Sequence, residues 1–133
     1  MREILFRGKR ADNGEWVEGY YSPVNIPITG NMGHFINVGG YRAVEIDPET
    51  VGQFTGLCDK NGVRIFEGDI VRYGDTIHRV VFEQRNGTAY FGLVYAACET
   101  LPFGHYQDLK QIEVIGNIYD NTELLEVSGN DQS

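Results

Sequence analysis

The sequence predicts a mostly-β protein: a small antiparallel, β-barrel-like (SH3-like) sheet with one or two very short helices, and α+β as the alternative. Three observations predict it. Glycine occupies 17 of 133 positions, well above the ~7% average. Eight tyrosines and seven phenylalanines accompany it, and turns joined by aromatic and β-branched runs make short strands. Three Asn-Gly pairs punctuate the chain, the strongest short-range hairpin signal because both residues tolerate positive φ.

In chain order, Asn13-Gly14 joins Ile4–Asp12 to Glu15–Tyr21. A two-residue loop there places Ala11 beside Trp16, Lys9 beside Glu18 and Asp12 against Glu15. Ser22–Gly40 is rich in Pro, Gly and Asn and predicts a long loop with a short strand at His34–Val38. Asp47-Pro48-Glu49-Thr50-Val51-Gly52 predicts one helical turn, with Asp47 as cap, Pro48 in the first position and Gly52 as stop. Asp59-Lys60-Asn61-Gly62 predicts a type I turn with a glycine bulge between Gln53–Cys58 and Val63–Phe66. In Gly62–Arg72 one strand runs into Glu67-Gly68-Asp69 and leaves as another, with Gly68 supplying positive φ and Asp69 accepting turn N–H groups. Asn86-Gly87 is the cleanest hairpin. It pairs Arg85 with Thr88, Phe82 with Phe91 and Val80 with Leu93, and sets His78 beside Tyr95. Asp120-Asn121-Thr122-Glu123 has capping-box spacing, with Asp120 as cap and Glu123 reaching back. A single domain over residues 1–127 is expected, with 128–133 a small, polar, disordered tail.

Composition narrows the function classes. The formal charge is −8, from 19 acidic and 11 basic residues. Such a surface repels phosphate backbones, although it also permits an acidic protein that occupies a partner's basic site. No apolar run reaches the ~18 residues of a membrane span. The N-terminal Met1–Arg7 predicts a strand start, not a signal peptide. Cys58 and Cys98 are too few for a disulfide framework and lack metal-ligand spacing, so reduced thiols in a cytosolic protein are expected, with one disulfide between them as the alternative.

Few residues converge on chemistry. His34, His78 and His105 are scattered, with no His-x-x-x-His or Cys-x-x-Cys grouping, and no metal or cofactor site is expected. His78 is expected to be a satisfied, half-buried imidazole. Neither Gly30-Asn31-Met32-Gly33 nor Gly39-Gly40 precedes a helix or carries a Lys-Ser/Thr pair, so neither is a phosphate loop. No Ser or Cys occupies a nucleophile elbow, and no catalytic residue is assigned. The candidate binding residues are aromatic. Trp16 is expected to pack in the core or on a sheet face, with anchoring of a partner beside Tyr20 and Tyr21 as the alternative. Phe103, His105 and Tyr106 share an aromatic-rich loop for which packing is expected and a binding surface is the alternative. Arg7 and Lys9 project on one strand face and Arg10 on the other, which dilutes any basic patch.

Several blocks carry a resemblance. Phe6-Arg7-Gly8-Lys9-Arg10 with Asn13-Gly14-Glu15-Trp16-Val17-Glu18-Gly19 resembles the opening of the phage-encoded YopX family. So do Ile46–Leu57, Asp59-Lys60-Asn61-Gly62 and Ile65-Phe66-Glu67-Gly68-Asp69-Ile70-Val71, followed by a similar closing block at Ile112–Asn121. The blocks occur in the family's order and cover most of the chain outside Ser22–Ala43 and Gly92–Lys110. Cys58, between two blocks, is not expected to be fixed. The resemblance implies a phage or prophage protein in a bacterial host's cytoplasm with a mostly-β fold. It implies no activity, because the family has no established biochemical function, and there are no family site residues to transfer. The expected role is a non-enzymatic accessory protein acting through protein contacts, with itself as a homo-oligomer and with a host or phage protein. The alternatives are a nucleic-acid-associated small barrel, an acidic DNA mimic, and a metal-dependent hydrolase using Asp47, Glu67 or Asp69.

Overall fold

The computed structural model describes residues 4–28, 30–40, 42–85, 87–95, 99–102 and 109–127. The expectations for Cys98, for the loop carrying Phe103, His105 and Tyr106, and for the tail at 128–133 fall outside these residues. The chain divides into two compact units between Phe54 and Thr55.

The first unit contains β1 (Phe6–Lys9), β2 (Trp16–Ile26), β3 (Asn31–Gly39), β4 (Arg42–Glu45) and the start of β5 (Gly52–Cys58), in the sheet order β4-β3-β2-β1-β5. The second unit contains the end of β5, with β6 (Arg64–Phe66) beside it. It also contains a sheet of β7 (Asp69–Tyr73), β8 (Thr76–Arg85), β9 (Thr88–Tyr95), β10 (Glu99–Pro102) and β11 (Ile112–Asn117), ordered β10-β9-β8-β7-β11. One helix, α1 (Thr122–Val127), and two single 3-10 turns complete the described elements. The chain is therefore mostly β with very short helices, as expected. The sheets, however, are open: β4 and β6 end one, β10 and β11 the other, and a barrel would need terminal strands to pair.

Hairpin registers follow turn chemistry. Around residue 87, Arg85 pairs with Thr88, Phe82 with Phe91 and Val80 with Leu93, as the Asn-Gly loop predicts. The Phe82 and Phe91 rings meet edge-on at 5.1 Å. The first hairpin departs from expectation by two residues: Lys9 faces Trp16 and Arg7 faces Glu18. The loop is longer because Asn13 Oδ1 accepts the Glu15 N–H, Gly14 N–H bonds the Arg10 carbonyl, and Arg10 and Glu15 close the strand ends. A two-residue shift leaves every side chain on its face, so binary patterning could not detect it. Asp12 does not confront Glu15 across the loop end but accepts two bonds from Arg10, at 2.9 and 2.8 Å.

Ser22–Gly40 is not a long loop. Most of it is the outer part of a hairpin arm in which Tyr20 to Ile26 pair with Asn37 to Asn31. Pro23 fits the strand for a specific reason. Its cross-strand partner His34 gives its carbonyl to Ile46 N–H, on the side away from β2. The pair is thus of the non-hydrogen-bonded kind, and the N–H that proline lacks would have pointed away from β3.

Caps follow sequence with small displacements. Asp47 Oδ1 accepts Glu49 N–H at 3.1 Å above the Pro48–Thr50 turn, but Val51 ends that turn and Gly52 opens β5. Helix α1 starts at Thr122, and the Asp120 carboxylate accepts the Asn117 side-chain amide.

The second unit's core is Ile65, Val71, Val80, Leu93 and Ile112, with Tyr73, Leu109 and Val114 against it. Burying each large aliphatic contributes about 1.5–3 kcal/mol. Asp59 pins the β5–β6 turn to this core: Oδ1 accepts Asn61 and Val63 N–H, and Oδ2 accepts Val114 N–H on β11 at 2.9 Å. Desolvation pushes the carboxyl pKa up, but the N–H groups of Val114, Val63 and Asn61 outweigh it, and the net shift is downward.

Asn at position 59 presents an NH2 where an acceptor is required, so Asp59→Asn should cost about 1–3 kcal/mol in chemical denaturation. Because the folded pKa lies below the unfolded one, the native carboxylate stabilises fully above about pH 5 and less as pH falls through the folded pKa. The variant should lose that part of the acid dependence; an unchanged acid limb would contradict the assignment.

Candidate functional site

One face of the first unit's sheet gathers the candidate residues that sequence placed on β1 and β2. Side chains alternate along a strand, so Arg7, Lys9, Trp16, Glu18 and Tyr20 share a face in the observed register. Trp16 is half-buried, with the Arg7 guanidinium carbon 4.6 Å and the Lys9 ammonium 5.5 Å from the centre of its rings. Each such contact contributes about 0.5–1 kcal/mol at a partly wet site and holds the indole in place. Nε and Nη2 of Arg7 are withdrawn from solvent. Tyr20 is 68% exposed at the next outward position. The two-residue register shift creates this arrangement, because it sets Trp16 opposite Lys9 and beside Arg7.

The same face continues onto the arm. Ser22, Val24 and Ile26 of β2 lie opposite Phe35, Gly33 and Asn31 of β3. A β-carbon on Gly33 would come within 2.8 Å of both Ile26 Cδ1 and Phe35 Cε1, so glycine lets those side chains close over it. Val24 stands exposed beside them. On the opposite face Tyr21 stacks on His34, with ring centres 6.0 Å apart and planes 9° apart, and Phe6 packs on Tyr21 at 5.7 Å. Sequence reasoning missed the arm's apolar face because Pro and Gly read as loop signals there. The usable signal was the absence of charge between Gly19 and Tyr41.

The candidate acid residues have structural partners. Asp69 is 1% exposed and its Oδ2 accepts Phe66 N–H at 2.8 Å, across a turn in which Gly68 has φ of +94°. Gly68 also bonds Val80 and Ile118 through its backbone. Asp47 caps its 3-10 turn, and Glu67 lies in the Gly68 turn. Among the described residues no three His, Cys, Asp or Glu side chains form a group able to hold a metal. Cys58 is an exposed free thiol.

His78 is more enclosed than expected, at 5% exposure. Its Nδ1 lies 2.9 Å from the Val94 carbonyl, which can only accept, so Nδ1 carries a proton, and Nε2 lies 2.7 Å from Thr76 Oγ1, whose hydroxyl also bonds the Tyr73 carbonyl. Burial lowers its pKa, and the Val94 carbonyl opposes this in part.

The described architecture defines a mostly-β protein of two open antiparallel sheets with an aromatic and cationic sheet face. The chain belongs to the YopX protein family, whose family model matches residues 5–126. It is similar to the crystal structure of protein EF1440 from Enterococcus faecalis, with a TM-score of 0.53 and 25% identity, covering 95% of this chain and 100% of that one. No curated protein matches the chain. Among the described residues no helix is long and apolar enough to cross a membrane.

Two predictions follow from these side chains. Asp69→Ala should lower the melting temperature, with a loss of about 1–3 kcal/mol for the buried N–H left without its acceptor. Mg²⁺ or Mn²⁺ should shift neither the wild type nor the variant in thermal denaturation, and a metal-dependent shift lost in the variant would restore the carboxylate as a ligand. For His78, a folded pKa below the unfolded ~6.5 means the unfolded chain binds more protons beneath that pH. Native stability should fall as pH drops from about 6.5 towards the folded pKa, and His78→Gln should flatten that interval.

Proposed function

We propose that this chain is a non-enzymatic accessory protein of a phage or prophage, acting in the cytoplasm of a bacterial host through protein contacts, and that it associates with itself. The observation that carries this reading is the sheet face on which Trp16 is braced by Arg7 and Lys9 with Tyr20 exposed beside it. Trp, Tyr and Arg are the residues that dominate contact energy at protein interfaces, because they offer large rigid area and few rotamers to freeze. Membership of the YopX family supports the phage setting. Asp47 and Asp69, two of the three carboxylates that would serve a hydrolase, are engaged in turn and cap hydrogen bonds, which supports binding over chemistry.

A second reading rests on the same face. Cations interleaved with aromatics can also stack single-stranded bases. The net charge of −8 opposes it, because an acidic surface around the patch repels phosphate backbones.

Light scattering at low micromolar concentration should give a mass above the 15.0 kDa of one chain. A monomer would remove self-association from the proposal. DNA and RNA columns at low salt should retain none of the protein; salt-dependent retention, abolished by Arg7→Glu or Lys9→Glu, would replace the proposal by the second reading.

A further inference from the structure

We infer that the Asp59 and Asn121 side chains guard the outer edge of β11, occupying with the Lys60 N–H the hydrogen-bonding positions through which another strand would add to this sheet. The edge lies in the second unit, apart from the sheet face that carries the proposed function.

A strand that ends an open sheet presents a row of N–H and C=O groups that another chain can pair with, and shortness limits that risk. Of the strands that end the two sheets, β4 and β10 have four residues and β6 has three, whereas β11 has six. Among the described residues β11 pairs with β7 and with no strand on its other side. Backbone groups of an antiparallel strand point alternately to its two sides. Val114, which gives its N–H to Asp59, turns away from β7 before the register shift between Val114 and Gly116. Asn117 turns away after it, since the next N–H, of Ile118, bonds the Gly68 carbonyl on the β7 side.

Three outward groups of β11 are met from outside the ladder. Asp59 Oδ2 accepts the Val114 N–H at 2.9 Å, and the Lys60 N–H donates to the Ile112 carbonyl at 2.9 Å. Together they do what the C=O and N–H of one residue in a parallel neighbouring strand would do. Further along, Asn121 Oδ1 accepts the Asn117 N–H at 3.1 Å. Gly116 makes room for that side chain, because a β-carbon there would lie 2.6 Å from Asn121 Oδ1. Turn closure alone does not require the reach to β11. Asp59 Oδ1 satisfies both Asn61 and Val63, which leaves Oδ2 for Val114.

The full chain can test this by light scattering across the micromolar range, with each protein held equally far below its own melting midpoint. In purified protein the strand available to an opened β11 edge is that of another copy, so opening reads out as added association. Whether or not the wild type self-associates, Asp59→Ala/Asn121→Ala should associate at about tenfold lower concentration than the wild type does. Gly116→Ala, which displaces the Asn121 side chain without removing it, should shift in the same direction. Asp69→Ala, which frees a buried N–H in the Gly68 turn and not on β11, should behave as the wild type. In hydrogen exchange at a concentration where Asn121→Ala is monomeric, the Asn117 amide should lose protection; unchanged protection there would remove Asn121 as a guard. If the double variant associates only as the wild type does, the guards are overturned. If Asp69→Ala associates as strongly as the double variant, association reports lost stability and the inference falls. Should the double variant fail to fold, Gly116→Ala decides, and wild-type behaviour of that variant overturns the inference.

Discussion

The Asp59 carboxylate holds together parts of the second unit that no sheet ladder would join. Its Oδ1 closes a turn of its own hairpin, and its Oδ2 reaches Val114 across 55 residues of chain. A sheet protein with many short strands has many turn N–H groups that the ladders cannot satisfy, and each one left buried without an acceptor costs free energy. Here side-chain oxygens take that role repeatedly: Asp47 at the 3-10 turn, Asp69 at the Gly68 turn, Asn13 at the first hairpin and Asn117 before α1. The acidic balance of the chain is therefore partly architectural, since some of its carboxylates are turn acceptors rather than surface charge.

That division of labour bears on function. Asp47 and Asp69, which looked able to bind a metal, are held by backbone donors in a geometry set by their turns. Those two carboxylates are engaged in folding. On one face of the first unit's sheet, Trp16 is held by Arg7 and Lys9, and Tyr20 stands exposed further along β2.

Some of this was legible in particular residues. The Val80–Leu93 and Phe82–Phe91 pairs followed from Asn86-Gly87 because a two-residue loop leaves a single register. The Asp59–Gly62 turn and the Asp69 acceptor were legible because Gly and Asp at those positions have one dominant conformational use. The Trp16 surroundings were not. Asn13 and Gly14 allow more than one loop length, and the Asx bond to Glu15 that selects the longer loop depends on where the strands settle. Pro23 misled in the same way. Proline excludes a residue from a ladder only on the side where a donor is needed, and sequence does not say which side that is.

By itself the sequence determined the class of protein: turn residues at set intervals, β-branched and aromatic runs between them, and a family pattern spanning nearly the whole chain. These are local properties, governed by backbone conformations that each residue type allows. Tertiary structure alone decided that the two sheets remain open, that β2 and β3 extend into an arm, and that Arg7 and Lys9 meet at Trp16. Strand order and register depend on which distant backbone groups find each other, and that is settled by packing and by hydrogen bonds such as Asp59 to Val114, not by any residue's own preference.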